Sequence, residues 1–300
     1  MKWKYVALGV AVAVAGVALI RFNYYHSGIS GLGSDTSSVK SFSDSSSTYK
    51  KSNTSYSKIT DLIESRKIDA NVVKPIGRKV FSIVRNEQRP PGDALAYVNS
   101  LLKKSEAGDA LATYAIYLAV SQCNATLQPP SDDLVEFYRQ RGSGKTYLAT
   151  ISKNFEECKS LTENPELSQG NWLQKAAEQG SVEAMILYAM DADSVIGPPS
   201  EYLSHPEKLV EYRKKAMNYL NQAADMGSVE AIMALGRAYE NGVLAEKSPV
   251  KSYAYYKVLE NVEPNDHLRS VLAQWEQELS GSQISQGNEL AARIANSCCK

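Results

Sequence analysis

The sequence predicts an all-α chain built from stacked helical hairpins. Three observations carry this. Residues 171–185 and 218–232 match almost position by position when aligned on Gly180 and Gly227, a spacing of 47 residues. Both stretches place apolar residues on one helical stripe: Trp172, Leu173, Ala176 and Ala177 in the first, Tyr219, Leu220, Ala223 and Ala224 in the second. Both then break at Gly-Ser and resume an apolar period. A recurrence of this kind signals a stacked helical repeat, because one hairpin cannot cover its own apolar face.

The turn follows from the residue types. Paired alanines let a neighbouring helix come close. Gly180 and Gly227 suit the left-handed conformation that ends a helix. Glu183 and Glu230 fall in the first turn of the next helix, where acidic groups complement its N-terminus. Ala184, Leu187 and Tyr188 continue one copy; Ala231, Met233, Ala234, Leu235 and Ala238 continue the other.

Earlier in the chain, residues 5–20 are uncharged and mostly apolar, preceded by Lys2 and Lys4 and closed by Arg21. Two readings stand for residues 1–26. One is a signal peptide cut after Ala13-Val14-Ala15. The other, favoured because apolar residues continue to Arg21, is an uncleaved anchor through residues 5–20, near the lower limit of about 17 residues for a span. The lysines favour a cytoplasmic N-terminus, so the expected placement is a bacterial inner-membrane protein, single-pass, with a periplasmic body, or a soluble periplasmic form after cleavage. Residues 27–60 are rich in Ser, Gly and Thr and read as a flexible linker. Residues 61–92 are mildly basic, with Arg66, Lys67, Lys74, Arg78, Lys79, Arg85 and Arg89, and read as a solvated lead-in. Residues 80–84 suit a short strand or an extended strip against the helical body.

The helical body is expected over 93–297. Asp93 is a good N-cap after Pro-Pro-Gly. Gly108 and Ala110 repeat the later turns in degenerate form. Ser131 caps a helix after Pro129-Pro130, and residues 147–161 form another. Residues 195–206 read as a surface-loop insertion. Pro249 starts a further helix, followed by two more marked by Leu268, Leu272 and Trp275, and by Leu290 and Ile294.

Charge and motifs exclude several function classes. The 33 basic and 33 acidic side chains balance, so no nucleic-acid footprint is expected. No CxxC or HExxH spacing occurs, so neither a metal nor another cofactor is expected. Gly144-Lys145-Thr146 looks like the end of a phosphate loop, but the pattern needs glycine where Arg139 stands, and a strand where residues 133–140 read as a helix. No catalytic constellation emerges. Glu183 and Glu230 are explained by helix starts and Glu136 by a solvated face, while His26, His205 and His267 are scattered. The chain is therefore not read as an enzyme. A disulfide between Cys123 and Cys158 is expected in an oxidising compartment. A bond between the adjacent Cys298 and Cys299 would be strained, which leaves a cross-link to another chain or two free thiols.

The quoted residues resemble Sel1-like repeats, relatives of the tetratricopeptide class. Ala223, Ala224, Gly227, Ala231, Leu235, Gly236, Tyr239 and Gly242 carry the family unit completely, and Ala176, Ala177, Gly180 and Ala184 carry part of another. The resemblance implies a helical-hairpin solenoid that acts through protein contacts: an adaptor or assembly factor of the bacterial envelope with an unknown protein or peptide partner. Candidate binding residues are Tyr188, Arg213, Lys214, Arg237, Tyr255 and Lys257. Tyr239, Tyr253 and Tyr256 are expected in the core, Tyr188 and Tyr255 on the surface. Rival readings are a cell-wall-directed hydrolase or its regulator, and a structural subunit of an envelope complex.

Overall fold

The computed structural model describes residues 59–84 and 88–299. The anchor or signal peptide expected over 1–26 and most of the 27–60 linker lie outside the described residues. Helix α1 (Ile59–Glu64) begins within the last two positions of that linker. Strands β1 (Val73–Pro75) and β2 (Phe81–Ile83) follow as an antiparallel pair with Val73 opposite Ile83. All remaining regular structure is helical: α2 (Ala94–Glu106), α3 (Ala110–Thr126), α4 (Asp132–Gln140), α5 (Gly144–Thr162), α6 (Pro165–Ser168), α7 (Trp172–Glu178), α8 (Val182–Met190), α9 (Ala192–Ile196), α10 (Pro199–Ser204), α11 (Pro206–Asp225), α12 (Val229–Asn241), α13 (Pro249–Val262), α14 (Asp266–Glu278) and α15 (Gly281–Cys298).

Three hairpins, α2–α3, α7–α8 and α11–α12, each pack on the next: α3 meets α7, and α8 meets α11. Helix α13 lies on α12, and α15 closes over α13. The hairpin turns share one construction. Gly180 and Gly227 sit at φ 97° and 96°, and Gly108 at 90°. The Gly180 amide donates to the Ala177 carbonyl and the Ser181 amide to that of Ala176; Gly227 and Ser228 do the same to Ala224 and Ala223. This bonding closes a helix C-terminus through a left-handed residue. Ser181 and Ser228 then cap the following helix, accepting from Ala184 at 3.2 Å and Ala231 at 3.3 Å. In the degenerate first turn Asp109 takes the cap, accepting from Ala112 at 3.1 Å. Ala176, Ala177, Ala184, Ala223, Ala224 and Ala231 are all buried.

The larger core runs through the second and third hairpins to α15. A smaller one, including Val98, Ile116, Val120, Cys123, Cys158 and Leu161, lies between α2, α3 and α5. Tyr253 and Tyr256 are buried in the larger core.

Three expectations change. The segment after residue 60 is not a solvated lead-in: Leu62, Ile68, Val72, Val80, Phe81 and Ile83 are buried in the larger core. The insertion at 195–206 is largely helical, forming parts of α9 and α11 and all of α10. The membrane contact through residues 5–20, and with it the transmembrane helix and single-pass placement, is corrected as well. Among the described residues no helix is long and apolar enough to cross a membrane. The longest, α11, carries Glu207, Lys208, Glu211, Arg213, Lys214 and Lys215, which bilayer hydrocarbon would not accommodate. Residues 5–20 themselves lie outside the described residues.

Candidate protein-contact surfaces

The segment 59–84 forms a strap across the turns of all three hairpins. Arg66 Nε bonds Asp109 Oδ2 at 2.6 Å, at the first turn. At the second turn the Lys67 carbonyl accepts from the Val182 amide at 3.0 Å, and Lys67 Nζ donates to the Gln179 carbonyl. At the third turn the Phe81 amide donates to the Gly227 carbonyl at 3.1 Å. There Glu230 Oε1 also accepts from the Ser82 hydroxyl at 2.6 Å and from the Ile83 amide at 2.8 Å. Glu230 therefore does more than complement a helix start: it holds the strap by charge-assisted hydrogen bonds. Gln179 ties the first two hairpins in turn. Its Nε2 donates to the Ser105 carbonyl at 2.8 Å, and its Oε1 accepts from the Thr113 hydroxyl.

The six candidate binding residues do not form one patch. Tyr188, expected on the surface, is 2% exposed. Its ring meets Tyr219 edge-on at 5.0 Å and stacks with Tyr212 at 5.5 Å. Burial pushes its phenol up to about 12. Arg213 and Lys214 are exposed on α11 and Arg237 on α12. Tyr255 is half-buried and stacked on Tyr239 at 5.9 Å, where burial raises its pKa above the usual phenol range. Tyr239 is itself half-buried, with Lys251 Nζ 4.9 Å from its ring centroid. A β-carbon on Gly236 would meet Tyr255 and Tyr256 at ordinary contact distance, 3.4–3.5 Å. Lys257 is paired with Glu260 at 2.9 Å, which raises its pKa. It lines a cleft of about 440 Å³ between α13 and α15, with Asn261, Asn288 and Ala291.

Cys123 and Cys158 are joined, with Cα atoms 5.1 Å apart, and tie α3 to α5. Cys298 and Cys299 are joined to each other. In this state neither is available for the cross-link to another chain that the sequence suggested. Gly144-Lys145-Thr146 opens α5 directly after helix α4, so no strand leads into it. Among the described residues no group of three or more His, Cys, Asp or Glu side chains is placed to hold a metal ion.

Two surfaces expose large apolar side chains beside basic ones. On α10 and α11, Leu203 is 75% and Val210 66% exposed, with Arg213 and Lys214 one turn beyond Val210. On the α4–α5 hairpin the exposed residues are Phe137, Leu148 and Phe155. Sequence reading missed the second surface, because an apolar residue at helical spacing looks the same whether it faces a core or solvent.

No protein-family model matches the chain, and no curated protein matches it. Among solved structures it is similar to a protective antigen present in uropathogenic Escherichia coli strains displaying an SLR fold, at 20% identity and a TM-score of 0.27. That match covers 67% of this chain and 48% of the other, so the chain spans about half the length of that protein. By the geometry of its own hairpins and turns, the described chain is a stack of helical hairpins, the fold that its resemblance to Sel1-like repeats implies.

Proposed function

We propose that the chain is a binding scaffold for a protein or peptide partner, an adaptor or assembly factor of the cell envelope. The observation that supports it best is the α10–α11 surface. Leu203 and Val210 expose large apolar side chains, with Arg213 and Lys214 one turn beyond Val210 and Glu207 one turn before it. Apolar anchors beside charges of both signs suit a protein or peptide partner that presents apolar side chains within a charged rim. The Cys123–Cys158 pairing supports a compartment outside the reducing cytoplasm.

The test places a photo-crosslinking amino acid at position 214 of the full chain in cells. A discrete partner should be captured, and the capture should be lost on Arg213→Glu combined with Leu203→Ser. Hydrolysis of a cell-wall substrate by the purified chain, with no partner captured at 214, would overturn the reading.

A further inference from the structure

The two disulfides differ in what can reach them. Cys123 and Cys158 are 0% and 1% exposed, closed between α3 and α5. The Cys298–Cys299 pair is asymmetric. Cys298 is 1% exposed and packs in the larger core, whereas Cys299 is half-buried.

Cys299 lines the cleft of about 440 Å³ between α13 and α15. Small side chains on α15 make the room: Ala291, Ala292 and Ala295 share this wall, and Cys299 follows Ala295 by one helical turn. Val262 of α13 stands opposite. The Lys257 charge at the cleft is met by Glu260 at 2.9 Å, so the lining does not select by charge. A space of this size takes a small molecule.

The helix end that carries the pair is anchored. The Cys299 amide donates to the Ala295 carbonyl at 3.0 Å, closing α15. The Ser297 hydroxyl donates to Asp225 Oδ1 at 3.0 Å, on the last residue of α11. These bonds set the end of α15 beside the third hairpin turn and hold Cys299 at the cleft wall.

We propose that Cys299 is a thiol-exchange site for a low-mass thiol that enters this cleft. The incoming thiolate attacks Cys299 Sγ. A new S–S bond forms between the two, the Cys298–Cys299 bond breaks, and Cys298 Sγ leaves as a thiolate. Among apolar neighbours that thiolate takes up the proton the incoming thiol gave to solvent. A second molecule of thiol then attacks the sulfur of the first and releases Cys299, which is protonated in turn. One protein disulfide and two thiols become two protein thiols and one external disulfide: the pair is reduced and the thiol oxidised. Burial blocks attack at Cys298, and it shields the Cys123–Cys158 bond at both sulfurs. A second copy of the chain is not the reactant, because all four of its cysteines are paired.

The experiment treats the folded full chain with excess reduced glutathione, stops exchange with acid, alkylates free thiols in denaturant and maps them by peptide mass. Cys298 and Cys299 should be labelled at least about tenfold faster than Cys123 and Cys158, whose bond must wait for local opening. Ala292→Phe, at an exposed position that lines the cleft, should slow the labelling of Cys298 and Cys299 in the folded chain and leave it unchanged in denaturant. A measurement that does not depend on that variant compares single thiols. Oxidised glutathione should modify Cys299 in Cys298→Ala faster than Cys298 in Cys299→Ala. Equal rates for the two disulfides, or modification favouring Cys298, would overturn the proposal. So would opening by a protein dithiol but not by glutathione, which would place the reactive sulfur on an outer surface instead of in the cleft.

Discussion

The carbonyl oxygen of Lys79 occupies the space that a β-carbon on Gly227 would need. Gly227 therefore answers to two constraints, its φ of 96° and the strap that lies against it. Gly108, at φ 90°, has nothing within 4 Å of that position. Gly108→Ala should cost about 1–2 kcal/mol, the strain of a left-handed backbone alone. Gly227→Ala should cost about 1–3 kcal/mol more, as overpacking is added. Gly180→Ala should fall between, because the Lys67 side chain at 3.1–3.2 Å can move aside. Denaturant melts of the three variants test the order; equal losses at 108 and 227 would remove the strap from the argument.

Glu230→Ala should release the strap without unfolding the hairpins. It removes an acceptor shared by the Ser82 hydroxyl and the Ile83 amide. Hydrogen bonds to a charged group contribute about 1.5–3 kcal/mol. The loss should appear as faster amide exchange at Ile83, with exchange in α7 and α8 unchanged.

The Cys123–Cys158 pairing encloses 35 residues of sequence separation. The chain-entropy model gives about 3–4 kcal/mol for such a loop. Peptide mapping without reductant should recover the linked fragments. Replacing both cysteines with alanine should lower the melting temperature and loosen the α4–α5 hairpin first.

The buried tyrosines set an alkaline limit. Tyr188 is pushed up to about 12 by burial, from the ordinary phenol value of about 10. Between those values the unfolded chain gives up the proton and the folded chain keeps it. Stability is then flat below about pH 10 and falls as pH rises towards 12. Tyr188→Phe should flatten part of that fall in urea melts followed across this range. An unaltered profile would place Tyr188 in water.

The repeat was legible because its devices are local. Gly180 and Gly227, the alanine pairs and the serine caps lie within a few residues of one another, and each acts on its own turn. Of the strap only residues 80–84 were legible, as a short strand or extended strip against the helical body; its bonds were not, because the partners are remote: Lys67 meets Val182, and Ser82 meets Glu230, 148 positions away. Its five basic residues, Arg66, Lys67, Lys74, Arg78 and Lys79, read as part of a solvated run, although Leu62, Ile68 and Phe81 beside them are buried. Tyr188 read as a surface residue because helical spacing does not reveal which neighbour arrives. Tyr212 and Tyr219, on the next helix, enclose it. The α4–α5 stripe misleads in the opposite sense, with apolar residues facing solvent.

The central claim is that residues 59–84 and the hairpins form one folded body, with the strap bound at the three turns. Hydrogen-exchange mass spectrometry on the full chain tests it most directly. The amides of Phe81 and Val182, bonded across the strap at 3.1 and 3.0 Å, should exchange as slowly as those inside α8 and α12. Exchange of residues 79–84 at the rate of a free peptide, with the helices still protected, would contradict it.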